Sequence, residues 1–308
     1  MRVAVVVIGS NSIKLLVAER ARDGRLAEVA SDSLEVRISR GIGSMAPRLE
    51  DEGMEKGVAA VAKLVSEARR LKANPIAAAA TSAVRDASNG AEFGERVRSA
   101  AGLEVRVLSG TEEANLIGRG ITTDPALGDL RDFRLFDLGG GSLECLSFRD
   151  RRIELAASLP LGCVRLTEKL LPDASLPFGD AAMEAVRSHV REVLLQPPLA
   201  WPVPAGLVVI GTGGTLTTVR SVLAAEGKVA FERTDPRIGV PQLRAVLARV
   251  GPLDLASRKA IRGLPAARAD VFPVALATLL ALAELGGFEA FRHSLRNLRW
   301  GLAAELAG

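Results

Sequence analysis

Asp137 stands in an apolar run, Leu135-Phe136-Asp137-Leu138, that ends on Gly139-Gly140-Gly141-Ser142. A carboxylate in such a run is costly to bury alone, and a divalent cation or its bound water is its natural partner. Glu144, just past the turn, is placed to share that partner; the plainer reading of both is a pair of surface or capped carboxylates. The turn has a chemistry of its own. Without Cβ atoms its backbone N–H groups can converge on an anion, and the Ser142 hydroxyl adds another donor. Gly9-Ser10-Asn11-Ser12 repeats the arrangement, and Gly211-Thr212-Gly213-Gly214-Thr215 offers a third turn with Gly213 and Gly214 as candidate contacts. One turn alone is equally a tight β-turn. Two hairpins facing each other, with the third turn, would grip a phosphate chain.

Two more clusters carry chemistry. Ser109-Gly110-Thr111-Glu112-Glu113-Ala114 opens a helix, where adjacent glutamates suit the dipole. If that helix start faces a cleft, one glutamate could deprotonate an attacking water. Thr81-Ser82-Ala83-Val84-Arg85-Asp86-Ala87-Ser88-Asn89 offers Arg85 as a phosphate clamp, with surface pairing to Asp86 as the alternative.

These residues need elements to place them. Short β-branched apolar runs precede each glycine turn, at 3–8, 135–138 and 207–210, and read as buried strands. After the first two turns the chain resumes as strand (13–18, 143–148), so these are hairpins; the third turn opens a helix at 216–225. The repeat suggests two related halves. The pattern predicts strands at 76–80 and 105–108, and helices at 52–71, 91–101, 181–194, 240–249, 255–262 and 268–286. Gly102 is a plausible residue to end the helix at 91–101. A boundary near 118–128 would divide two α/β domains, 1–122 and 123–292.

Composition excludes several classes. The chain has 308 residues, 48% hydrophobic and 25% charged, which suits an ordinary globular protein with a substantial core. The net charge is +4, and lysine occurs only at 14, 56, 63, 72, 169, 228 and 259, so arginine, the bidentate phosphate binder, carries the positive charge. No basic run marks a nucleic-acid arm, and tyrosine is absent, which leaves little for base stacking. Cys145 and Cys163 form no CxxC pair, and His189 and His293 lie far apart, so neither type suggests zinc; both histidines read as structural or surface residues. The first eight residues are too short for a signal-peptide core, and the apolar stretch at 271–285 is too short to span a bilayer. A cytoplasmic protein with no membrane association is the expectation.

In this order the segments resemble the exopolyphosphatase/guanosine pentaphosphate phosphohydrolase (Ppx/GppA) family in its short two-domain form. The likeness extends to Pro160-Leu161-Gly162-Cys163-Val164-Arg165-Leu166, Arg268-Ala269-Asp270 and Leu298-Arg299-Trp300-Gly301. The resemblance implies an actin-like (sugar kinase/heat-shock-70/actin) fold of two ribonuclease-H-like domains with an interdomain cleft. It implies a last helix, at 293–308, that packs back on the first domain. It also implies Glu113 as general base, Mg2+ on Asp137 and Glu144, and Arg85 on phosphate. A homodimer follows from the same likeness. One departure matters: the family's aspartate before the first Gly-Ser-Asn-Ser is Val7 here, and valine cannot ligate a metal. Ala275, where relatives often carry glycine, is a lesser departure.

The reading is a hydrolase that removes terminal phosphate from polyphosphate or a guanosine pentaphosphate, with Glu113 activating water. The alternative is a phosphate or alarmone sensor whose turnover Val7 has weakened. A kinase of the same superfold is a third possibility, disfavoured by the Glu-Glu-Ala segment.

Overall fold

Six consecutive buried residues, Val3 to Ile8, make β1 (Arg2–Ile8) the centre of a sheet covered on both faces. In this computed structural model, which describes residues 1–308, β1 runs antiparallel to β2 (Ser12–Arg20), which pairs in turn with β3 (Leu26–Glu35). Helix α1 (Asp51–Arg70) buries Met54, Gly57, Ala60, Val61, Leu64, Val65 and Ala68, a stripe at three-to-four spacing, with acidic residues in its first turn and arginines in its last. Next come β4 (Ile76–Ala80), parallel to β1, the short α2 (Ser82–Arg85), α3 (Gly90–Ala101), β5 (Val105–Val107) and α4 (Gly110–Thr122). The sheet order is β3-β2-β1-β4-β5.

A second sheet repeats that plan. Its strands are β6 (Phe133–Leu138), β7 (Leu143–Arg149) and β8 (Arg152–Leu159), followed by α5 (Cys163–Leu170), α6 (Asp180–Leu194), β9 (Val208–Thr212) and α7 (Gly214–Gly227). Then come β10 (Arg237–Gly239), α8 (Val240–Val250), α9 (Leu255–Lys259), α10 (Phe272–Gly286) and β11 (Ala290–His293). The order is β10-β11-β9-β6-β7-β8, so β8-β7-β6-β9-β11 mirrors the first sheet strand for strand. The irregularities match too: the β2–β3 register slips between Val17 and Ala18, and the β7–β8 register between Ser147 and Phe148, each five residues past the hairpin serine. α10 is buried on nearly every side because α5, α6, α7 and α8 all pack against it.

α11 (Leu298–Leu306) returns to the first sheet, so the two units are Met1–Asp129 with Arg296–Gly308, and Leu130–Leu295. α11 crosses α4 at two glycines. A Cβ on Gly301 would overlap the Leu116 carbonyl, and one on Gly120 would overlap that of Asn297. Only glycine permits this approach. No helix is long and apolar enough to cross a membrane.

Several predicted helices are shorter than their sequence pattern. The helix predicted at 255–262 stops at Lys259, ahead of Gly263 with its φ of +85°. That predicted at 268–286 begins only at Phe272, with Pro273 in its first turn and a 3-10 turn at Ala266–Arg268 before it. That expected over 293–308 begins at Leu298, because His293 ends β11 and Asn297 is non-helical.

Candidate functional site

The register of the second sheet puts the carboxylates together. Asp137 on β6 lies directly opposite Glu144 on β7 and, on its other side, opposite Thr212 on β9; Glu144 lies opposite Ser158 on β8. Residues paired in this way project to one face. Asp137 is 6% exposed and Glu144 2%, and the Ser158 hydroxyl donates to Glu144 Oε1 at 2.7 Å. Phe136, on the opposite face by strand alternation, is fixed in the core between Trp201 and Phe288.

The turn between these strands is held from behind. Gly139 N–H donates to Ser142 O at 3.0 Å, closing the hairpin. The first N–H groups of α5 then take its carbonyls: Cys163 to Gly139 (3.0 Å), Val164 and Arg165 to Gly140 (2.8 and 3.1 Å). Arg165 Nε donates to Gly141 O at 2.8 Å. Gly162 packs so closely on Gly140 and Gly141 that any Cβ would overlap them. With the carbonyls committed to α5, the opposed N–H groups are directed away from it, as an anion cradle needs. Thus the segment from Pro160 to Leu166 holds the glycine turn, and Gly162 and Arg165 are site residues that sequence reasoning left without a role.

The third turn abuts the same carboxylates. Gly213 has φ +99°, which favours glycine, and a Cβ there would stand 2.6 Å from Asp137 Oδ1. The half-buried Arg268 guanidinium lies against Gly214, where a Cβ would overlap it. Structure therefore brings Asp137, Glu144, Gly139 to Ser142, Gly213 and Gly214 together in one unit.

The first hairpin is built the same way. Gly9 N–H donates to Ser12 O at 3.1 Å, and the carbonyls of Ser10 and Asn11 accept from Ser39 N–H (3.3 Å) and Arg37 N–H (3.0 Å). The Asn11 carboxamide is bracketed: Nδ2 donates to Glu35 Oε2 at 2.6 Å, and Oδ1 accepts from Arg37 Nε at 2.9 Å. Arg37, held at φ +41°, is another residue sequence reasoning missed. Val7 occupies the place of Asp137, and its neighbours across the strands are Lys14 and Ala79, where Asp137 has Glu144 and Thr212.

The first unit also holds the paired glutamates, whose roles separate. Glu112 closes a capping box: Ser109 N–H donates to Glu112 Oε2 (2.8 Å) and Glu112 N–H to Ser109 Oγ (3.2 Å). Those bonds from Ser109, with Arg106 beyond, hold the Glu112 carboxyl at a pKa of about 2. Glu113, 5% exposed, instead meets Arg85, whose Nη1 donates to Glu113 Oε2 at 2.8 Å and to Leu108 O at 3.0 Å. Arg85 Nε also reaches Asp86 at 3.3 Å, the pairing weighed as the alternative to a phosphate clamp, while its bond to Glu113 is not expected from the sequence.

No group of three or more His, Cys, Asp and Glu side chains forms a metal cluster. Asp137 and Glu144 nevertheless fit magnesium, which is ordinarily held by one or two carboxylates together with waters and substrate phosphates. The Thr212 hydroxyl oxygen opposite Asp137 is buried without a hydrogen-bond partner, which leaves polar capacity at that place.

Known proteins resemble this chain in sequence and in fold. The model of the Ppx/GppA phosphatase family matches residues 16–307, a span that begins within β2, after the first glycine turn. Exopolyphosphatase 1 of Mycobacterium tuberculosis (strain ATCC 25618 / H37Rv) is 30% identical over 271 residues, 87% of this chain and 77% of that protein. The crystal structure of an exopolyphosphatase from Cytophaga hutchinsonii ATCC 33406 superposes with a TM-score of 0.85 at 22% identity, covering 99% of this chain and 98% of that one. A PPX-GPPA enzyme from Aquifex aeolicus gives 0.75 at 25% identity, with 99% of each chain covered. The fold is actin-like, with two ribonuclease-H-like sheets.

Proposed function

The chain belongs to the Ppx/GppA phosphatase family, and from that premise we propose that it removes the terminal phosphate of inorganic polyphosphate or of guanosine pentaphosphate. The name of the mycobacterial relative favours polyphosphate. The observation that carries the reading is Glu113: a buried carboxylate at the start of α4, distinct from its capping neighbour and held by the one arginine that precedes it in the 81–89 segment. A phosphate drawn to the Arg85 guanidinium arrives beside Glu113, which orients a water for in-line attack and accepts its proton. The backbone N–H groups of Ser10 to Ser12, Gly140 to Ser142, and Gly213 and Gly214 hold phosphate oxygens, those of Gly9 and Gly139 being engaged in closing their hairpins, while Asn11 contributes through its backbone because its carboxamide is engaged by Glu35 and Arg37. Asp137 and Glu144 would hold a magnesium ion, which when bound neutralises charge developing on the transferred group.

Val7 favours a second reading. It is 8% exposed among apolar strand residues and offers no ligand where its counterpart is Asp137, which suits a binding protein with slow turnover. The test is phosphate release from polyphosphate and from guanosine pentaphosphate, with and without magnesium, in the parent, Glu113→Gln and Val7→Asp. Metal-dependent release lost in Glu113→Gln supports the hydrolase. A silent parent that gains activity in Val7→Asp supports the sensor.

A further inference from the structure

His293 is 5% exposed at the end of β11, and its imidazole joins two elements. Its Nδ1 lies 3.2 Å from Arg220 Nη1, and its Nε2 lies 3.3 Å from Thr217 Oγ1. Arginine has donors only, so Nδ1 must accept, and the ring proton of the neutral imidazole therefore sits on Nε2. Nε2–H then donates to Thr217 Oγ1, and the threonine's own hydrogen goes to the Gly213 carbonyl, 3.1 Å away. Burial, reinforced by the Arg220 charge, pushes the His293 pKa down to about 3, which keeps the ring neutral. Arg220 is itself immobilised. Its Nε donates to Thr234 Oγ1 at 2.9 Å, its Nη2 to the carbonyls of Thr234 (3.1 Å) and Phe231 (3.3 Å), and its guanidinium lies 4.4 Å over the Phe231 ring.

The donors run one way, from Arg220 through His293 and Thr217 to Gly213. In a trans peptide the C=O and the next N–H point in opposite directions. Drawing the Gly213 carbonyl into α7 turns the Gly214 N–H out of the helix start. We infer that Arg220, His293 and Thr217 form a hydrogen-bond relay that orients the Gly213–Gly214 peptide, so that His293 and Thr217 are positioning residues for phosphate at the third glycine turn. The phosphate part rests on the functional reading above; the relay does not.

Two measurements on the full chain separate them. Long-range nitrogen–proton NMR of the imidazoles, with His189→Gln to assign the two rings, should show His293 as the Nε2–H tautomer. In Thr217→Val that proton should lose its acceptor and shift, and in Thr217→Ser it should not. An Nδ1–H tautomer, or a ring indifferent to Thr217→Val, overturns the relay. Hydrolysis of polyphosphate, or calorimetric binding of tripolyphosphate if the parent turns over slowly, reads the second part. Thr217→Val should raise KM or Kd roughly three- to tenfold, the worth of one hydrogen bond, with kcat nearly unchanged. Thr217→Ser should restore it, as should His293→Gln relative to His293→Leu, because glutamine can both accept from Arg220 and donate to Thr217. Equal affinity in all variants overturns the positioning role. A parent that neither hydrolyses nor binds defeats the functional reading and with it this role, while the NMR result stands or falls separately.

Discussion

Acid should destabilise this protein through His293, and the size of the effect follows from its burial. The folded-state pKa is about 3, against 6.5 for an unperturbed histidine. Between those values the unfolded chain holds a proton that the folded chain refuses. Stability is therefore intact above pH 6.5 and falls as the pH drops through the window. At roughly 1.4 kcal/mol for each pH unit, moving from about pH 6.5 to about pH 4.5 costs on the order of 3 kcal/mol. The charged group facing the ring is Arg220, on which Glu232 and Asp235 act in turn. The comparison is urea unfolding of the parent and His293→Gln at both pH values. Glutamine fills the same hydrogen-bonding place but does not titrate, and every other titrating group, including His189, is common to both proteins. With a urea slope of about 3 kcal/mol per molar, the parent midpoint should fall by about 1 M more than the variant's. Equal acid losses in the two proteins would falsify the account of His293 as a buried neutral base.

Other perturbations have definite signs. Glu113→Gln should lower phosphate release by roughly 10²- to 10⁴-fold, the usual worth of a general base, with little change in substrate KM; a tenfold loss or less in steady-state assays would move the base elsewhere. Val7→Asp should increase magnesium-dependent release while lowering stability by about 1–3 kcal/mol, since it buries a carboxylate in an apolar strand; a rise in both by thermal melts and assay would contradict that. Arg165→Ala should weaken substrate binding by freeing the Gly141 carbonyl, seen as a higher KM at unchanged melting temperature, and an unchanged KM would remove Arg165 from the site. Gly301→Ala should destabilise the first unit by about 3 kcal/mol or more, because its Cβ meets the Leu116 carbonyl rather than a flexible side chain; a wild-type denaturation curve would show that α11 and α4 cross less closely.

Much of the site was legible because glycine turns after apolar runs are local signals. Leu135 to Ser142 announces a buried strand, a tight turn and a carboxylate within eight residues. Their cross-strand register, which sets Asp137 against Glu144, follows once the turn is known. β3 escaped because it is exposed along most of its length at the sheet edge, and β8 because its residues are only half-buried, so neither carries a clear apolar face. β11 is four residues long and flanks a predicted helix, so its period could not be read. The relay through His293 was illegible for a different reason. Arg220 and Thr217 lie 73 and 76 positions away, and only the parallel pairing of β11 with β9 brings them into reach. The choice of Glu113 over Glu112 comes from the family resemblance alone, since spacing does not show which one turns back to Ser109.

The discontinuity of the first unit has a consequence for how the protein is made. Leu130–Leu295 is continuous and can mature as soon as it leaves the ribosome. Met1–Asp129 emerges first but must wait for Arg296–Gly308, because the helix that begins at Gly110 lacks its neighbour until then. Arg106 ties Glu112 to Glu305, and Arg299 reaches the Leu15 carbonyl on β2, so the late segment braces the helix that bears Glu113 and the strand that follows the first hairpin. Birth order and folding order are thus reversed for the two units. Stalled or clipped chains that end before this segment would carry a formed second unit and an unfinished first one.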